Sequence, residues 1–162
     1  IRGDLKETFA KMSSRGRPVL NIFKVMAHCP EVGRDFLKLG NSLLLKGRVD
    51  PCLRELAILR VGHLARAIYE WTQHAALARR VGVPQEQIDA LPDWQSSEKF
   101  DEKEKAVLQY VDEVAENIRV SQETFQKIKH YFTDEQVVEL TVVIGYYGAV
   151  CRVLEALEIE LE

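Results

Sequence analysis

Apolar positions recur along this chain at three- and four-residue intervals over long stretches, and Gly or Pro falls between those stretches. No run alternates apolar and polar residues between hairpin turns, so the pattern predicts an all-α fold of about six to eight helices. Residues 18–28 read as a first short helix. Pro30, at a favoured first helical position, opens a second that runs to about Lys46, ahead of Gly47. Asp50-Pro51 starts a third, because the aspartate oxygen can accept from free amides while proline takes a position that needs no donor. Leu53, Leu56, Ala57, Leu59, Val61 and Leu64 make that helix apolar around most of its circumference, which places it in the interior. A fourth helix over about 68–81 ends at Gly82, and Val83-Pro84 begin a short helical piece through Leu91 that Pro92 stops. Residues 93–99 read as a polar surface loop. Asp101 with Glu104 then resembles a capping arrangement for one continuous amphipathic helix to about Ile118. Ser121 caps the next helix, and Thr133 with Gln136 opens a long final one to about Leu157.

The length of 162 residues fits a single domain over 1–162, without internal repeat or low-complexity linker. Apolar residues at 46% and charged residues at 29% exclude fibrous and disordered classes. A net charge of -3 with both signs mixed along the chain leaves no basic stripe for a phosphate backbone, so no nucleic-acid partner is expected. The most apolar run, 137–150, is broken by Glu139 and Thr141 and is short for a bilayer, so it reads as a core helix with no membrane partner. Cys29, Cys52 and Cys151 lie far apart and form neither a CxxC pair nor a metal cluster. They read as small buried hydrophobes in a reducing, cytoplasmic protein, and no secretory leader pattern is recognised.

Chemistry is expected where ionisable residues sit in apolar surroundings, since burial moves a pKa toward a useful value. Glu55 lies among Leu53, Leu56, Ala57, Ile58 and Leu59. A carboxylate in that setting needs a partner. Glu70 and His74 stand four residues apart on the following helix, which stacks them on one face. A carboxylate beside an imidazole favours the imidazolium and fixes which ring nitrogen is presented. The spacing alone fits a surface ion pair equally well. A metal triad of Glu55, Glu70 and His74 is conceivable, but no metal and no cofactor are expected.

The run Arg54-Glu55-Leu56-Ala57-Ile58-Leu59-Arg60-Val61, followed by Tyr69-Glu70-Trp71-Thr72-Gln73-His74, resembles the signature of the carboxymuconolactone decarboxylase family. The resemblance is strongest over roughly 48–132. It extends upstream through His28-Cys29-Pro30-Glu31 and downstream through Gly145-Tyr146-Tyr147 and Arg152-Val153-Leu154. It implies an alkylhydroperoxidase-D-like helical domain. The peroxidase pattern of that fold is Glu, eleven residues, Cys, two residues, Cys, three residues, His, and on that frame this chain has Glu55, Ala67, Glu70 and His74. Both cysteine positions are vacant, and peroxide reduction needs the sulfur itself.

Glutamate at the second cysteine position, with the histidine kept, resembles the decarboxylase branch, whose reaction removes carbon dioxide from 4-carboxymuconolactone to give an enol-lactone. The resemblance therefore implies a catalytic set of Glu55, Glu70 and His74, with His74 as general acid, Glu70 orienting it and Glu55 anchoring the network. A carboxylated substrate wants a cation, and Arg60, Arg66 or Arg152 could supply it. Tyr69, Trp71, Tyr146 and Tyr147 are candidates to line a pocket for a small-molecule substrate, although such aromatics also serve plain cores. His63 and His130 read as structural. Longer family members often carry histidine near the position of Tyr146 and glycine near Glu158, so an altered pocket wall is expected. The family also implies a homo-oligomer, a trimer or hexamer, which would cover the unusually apolar helices. Two other functions stay open: an antioxidant alkylhydroperoxidase-like role through another thiol such as Cys151 or Cys52, and a non-catalytic binding or assembly module.

Overall fold

The structure, a computed structural model, describes residues 19–162. Every regular element among them is helical, in the order the periodicity predicts. The chain divides into two compact units, whose described parts are residues 19–46 with 158–162, and residues 47–157.

In the smaller unit, α1 (Asn21–Met26) leads into α2 (Pro30–Lys46). The expected first helix began at Pro18, which lies outside the described residues, and the observed one is shorter at both ends. Gly33 is required where α2 crosses α1, because a Cβ there would stand 2.4 Å from the Met26 carbonyl oxygen. The C-terminal segment returns to α1: Asn21 donates from its backbone amide to Glu162 and from its side chain to the Glu160 carbonyl.

The larger unit is built around α3 (Pro51–Leu64), in which every residue from Leu53 to Gly62 is buried. Asp50 caps it as expected, accepting from the amides of Cys52 at 2.9 Å and Leu53 at 3.2 Å. α3 packs against α4 (Ile68–Val81), α6 (Glu102–Asp112) and α8 (Asp134–Ala156). Between α4 and α6 lie α5 (Gln85–Ala90) and a 3-10 turn (Leu91–Ser96). α7 (Gln122–Tyr131) precedes α8. Gly82, in the left-handed region at φ 110°, ends α4, where the amides of Gly82 and Val83 both reach the Ala78 carbonyl. Leu56, Leu59, Ala78, Ile88, Leu91 and Leu108 form the centre of the core. Each fully buried leucine or isoleucine contributes about 1.5–3 kcal/mol relative to an exposed one.

Two expectations are corrected. Pro92 does not stop the chain's helical winding, because proline needs no donor at the start of a turn, and residues 91–96 continue as a 3-10 turn. The helix opened by the Asp101–Glu104 capping box is not continuous to Ile118; its α part ends at Asp112 and the chain widens into a π turn (Glu113–Asn117). Two adjacent carboxylates are pulled opposite ways at that junction. Asp112 takes two hydrogen bonds from Arg60 and one from Trp94, while Glu113 accepts from Gln109, Ser121 and Thr124 at the start of α7. The final helix has 23 residues and a mean hydropathy of 1.6 over its most apolar window, so length and composition alone would let it cross a bilayer. It packs on α3 instead, burying Leu140, Val143, Ile144, Tyr147 and Leu154.

Candidate active site

Glu55 sits in the middle of α3, within its fully buried stretch, and is 1% exposed. α4 begins after a tight turn in which the Ala67 amide donates to the Gly62 carbonyl and Arg66 takes a φ of 55°. That turn lays α4 against α3 and brings the Glu70 side chain onto Gly62, whose Cβ position would stand 3.5 Å from Glu70 Cγ. His74, one turn further along, reaches Glu55 directly: its Nδ1 lies 2.7 Å from Glu55 Oε2. Glu55 and His74 are thus joined by a direct hydrogen bond. His74 Nε2 stands 3.1 Å from Glu70 Oε1.

That second contact is an ion-pair distance without hydrogen-bond direction, and Glu70 Oε1 is a buried oxygen with no hydrogen bond. Arg54 Nε is orphaned in the same way, 3.6 Å from Glu55 Oε1. The cluster thus holds an arginine, a histidine and two glutamates in a buried space, with one donor and one acceptor left unmet. Such groups are costly to leave unpaired inside a protein, and they are where a bound molecule gains most. Tyr147 of α8 closes one side, its ring edge-on to the imidazole at 4.9 Å.

Burial opposes charge on His74, but the hydrogen bond to Glu55 and the neighbouring Glu70 outweigh it and raise the imidazole pKa above its ordinary value. Glu70 is also raised, by burial first and by Glu55, with His74 opposing. Both groups are thus held toward their protonated forms relative to their ordinary values.

The remaining candidates are more scattered. Arg60 is committed elsewhere: it forms a two-pronged pair with Asp112 at 2.6 and 3.0 Å and donates to the carbonyls of Leu91 and Pro92. Arg66 is exposed in the turn between α3 and α4. Tyr69 is buried, and Trp71 stacks edge-on with His63 at 6.1 Å while packing on the core. Tyr146 meets Tyr147 edge-on at 5.1 Å, and so sits one ring removed from His74. Among the described residues no group of three or more His, Cys, Asp and Glu side chains has the arrangement to hold a metal ion.

Two residues beside the site were only partly legible in the sequence. Arg54 was legible only as a neighbour of Glu55, and Cys151 as a lone thiol. The four-residue spacing of Tyr147 and Cys151 on α8 is the signal that places both on the side facing α3 and α4. Cys151 is buried, and burial together with Glu70 pushes its thiol up to about 12. Cys52 donates to the Val81 carbonyl, and its pKa is raised by burial and by Asp50.

The all-helical domain, with two carboxylates and an imidazole buried between adjacent helices, has the alkylhydroperoxidase-D-like fold. Residues 30–113 match the carboxymuconolactone decarboxylase family, and the chain is a member of it. An uncharacterized Bacillus subtilis protein, YdfG, is 24% identical over 107 residues, covering 65% of this chain and 73% of its own. Among solved structures, a peroxidase-related protein with an alkylhydroperoxidase AhpD core from Ralstonia eutropha superposes with a TM-score of 0.86 at 20% identity, covering 98% of this chain and 85% of that one. The debrominase Bmp8 superposes with a TM-score of 0.81 at 20% identity, over 98% and 86% of the two chains. At these identities the two structures establish the fold.

Proposed function

We propose that this chain is a cofactor-independent lyase of the decarboxylase type, acting on a small carboxylated lactone or related acid by proton transfer through His74. The observation that carries it is the buried Glu55–His74–Glu70 array, with its 2.7 Å hydrogen bond and its unmet Glu70 oxygen. Loss of carbon dioxide breaks a carbon–carbon bond and leaves the electron pair on carbon. That carbon takes a proton from the imidazolium, which becomes neutral and is recharged from solvent, and carbon dioxide departs. Glu55 keeps Nδ1 occupied and stabilises the charged ring, so the mobile proton is on Nε2, beside Glu70. A positioned general acid of this kind contributes about 10²–10⁴-fold to rate.

Carbon dioxide release from 4-carboxymuconolactone and related carboxylated lactones, followed for wild type and His74→Gln side by side, tests the proposal. Turnover lost in the variant at unchanged melting temperature supports it. If the wild type releases nothing from any of them, the decarboxylase reading fails.

The peroxidase-related neighbours favour an antioxidant role as the second reading. It would need a thiolate, and the raised pKa values of Cys52 and Cys151 work against one. As a binding or assembly module, the protein would use the same array only as a tie between α3 and α4. We further infer a homo-oligomer, because Ile68 is 73% and Val138 63% exposed on the larger unit; the trimer or hexamer rests on the family resemblance, and a cytoplasmic location on the scattered, unpaired cysteines.

A further inference from the structure

A cavity of about 470 Å³ opens between the end of α3, the π turn and α8. Its walls are mostly apolar, with Leu64, Val114 and Ile144 among them, and Cys151 forms part of its lining. None of the three residues of the acid–base array lines it, but Cys151 lies in the field of Glu70, so the two spaces adjoin.

Three features of the sequence and backbone border this cavity. Gly145 and Gly148 both line it from the middle of α8, where glycine weakens a helix relative to alanine. A Cβ on Gly145 would meet nothing within 4 Å, so no close approach requires glycine there; a side chain would only fill the space. At Gly148 the vacated volume is used by Arg152, whose Nη1 would stand 3.2 Å from an added Cβ and donates to the Gly148 carbonyl at 2.8 Å. The third feature is the π turn itself, which ends in Ile118 at φ 64°, a conformation a β-branched residue adopts only when its surroundings impose it. π turns and such outliers gather at ligand sites.

We propose that this cavity binds a ring-sized, largely apolar molecule bearing one carboxylate, with the carboxylate on Arg152. Arg152 makes no ion pair among the described residues, and its guanidinium keeps donors beyond the one given to Gly148. Among the described residues it is the only cation of the lining. Glu116 and Glu155 stand with it there, both exposed to water, so a second carboxylate on the ligand meets like charge without a partner. The ring lies over Gly145 against Leu64, Val114 and Ile144. The glycines thereby set the size of molecule accepted, and the single arginine sets its charge. This assignment goes beyond the proton-transfer reading and does not depend on it.

The test reads binding alone, with the full chain, by NMR shifts on titration with benzoate, phthalate and benzyl alcohol. These probes carry one, two and no carboxylates on similar rings. Benzoate should bind at least about tenfold more tightly than either of the others, the margin expected of one charge-assisted pair. Arg152→Gln should erase that preference and leave benzyl alcohol unaffected. Gly145→Leu should abolish benzoate binding without lowering the melting temperature, because leucine is the better helix former. Phthalate binding as tightly as benzoate, unchanged benzoate binding in Gly145→Leu, or no shift with any probe would overturn the proposal.

Discussion

Glu55 Oε2 and His74 Nδ1 stand 2.7 Å apart across the α3–α4 contact, with both side chains almost wholly shielded from water. Nineteen positions separate them in sequence. Because Glu55 holds Nδ1, it is Nε2 that stands beside Glu70.

Replacing His74 by glutamine should lower turnover about 100-fold or more, the range of a positioned general acid. The melting temperature should move little, since glutamine can still bond Glu55. Steady-state kinetics with parallel thermal melts check this. A variant that keeps its rate but melts earlier would assign His74 to structure.

The His74 pKa is raised in the fold, so its contribution to stability is fully present below the ordinary value of 6.5 and disappears as pH rises through the folded value. Urea unfolding above pH 6.5 should therefore show stability falling with pH. Glu55→Gln removes the leading interaction that raises the pKa, and should shift His74 downward in an NMR titration and flatten that slope. An unshifted His74 in Glu55→Gln would contradict the assignment.

Asp112→Asn should destabilise the larger unit by about 3–5 kcal/mol, because it leaves the Arg60 guanidinium buried without its countercharge. The double variant Arg60→Met, Asp112→Leu should recover much of the loss. Chemical denaturation of the single and double variants decides; equal losses in both would mean that the pair is not what holds α3 to α6.

Partial burial works against charge on Glu113, but hydrogen bonds from Thr124, Ser121 and Gln109 hold its carboxyl down at about 2. Here the folded value is depressed, so the stabilisation is present above the ordinary 4.5 and is lost as pH falls toward 2. Glu113→Gln should be less stable at neutral pH and show a shallower acid transition. An unchanged acid transition would remove Glu113 from the set of groups that fasten the π turn to α7.

Cys29 is exposed, whereas Cys52 and Cys151 have raised thiol pKa values. Iodoacetamide at neutral pH, followed by mass spectrometry, should label Cys29 first and the other two far more slowly. Rapid labelling of Cys151 would instead restore weight to thiol chemistry beside Glu70.

The sequence by itself determined the helices and most of their ends, because caps and periodicity are local. Asp50-Pro51, the Asp101–Glu104 box and the Thr133–Gln136 box all act within four residues, and each formed where its pattern stood. The catalytic candidates were legible for a similar reason: Glu70 and His74 share a helical face by spacing, and a glutamate inside an apolar helix demands a partner. The π turn was not legible, because it arises from Asp112 and Glu113 being drawn to side chains on other elements. The role of Arg60 was hidden likewise, its partner being 52 positions away. Only the tertiary structure decided that Glu55 meets His74 directly, that Cys151 lies near Glu70, and that two glycines in α8 face an open cavity. Each of those facts depends on how far apart two helices lie, and that distance is fixed by side-chain volumes across the interface and not by the pattern along either chain segment.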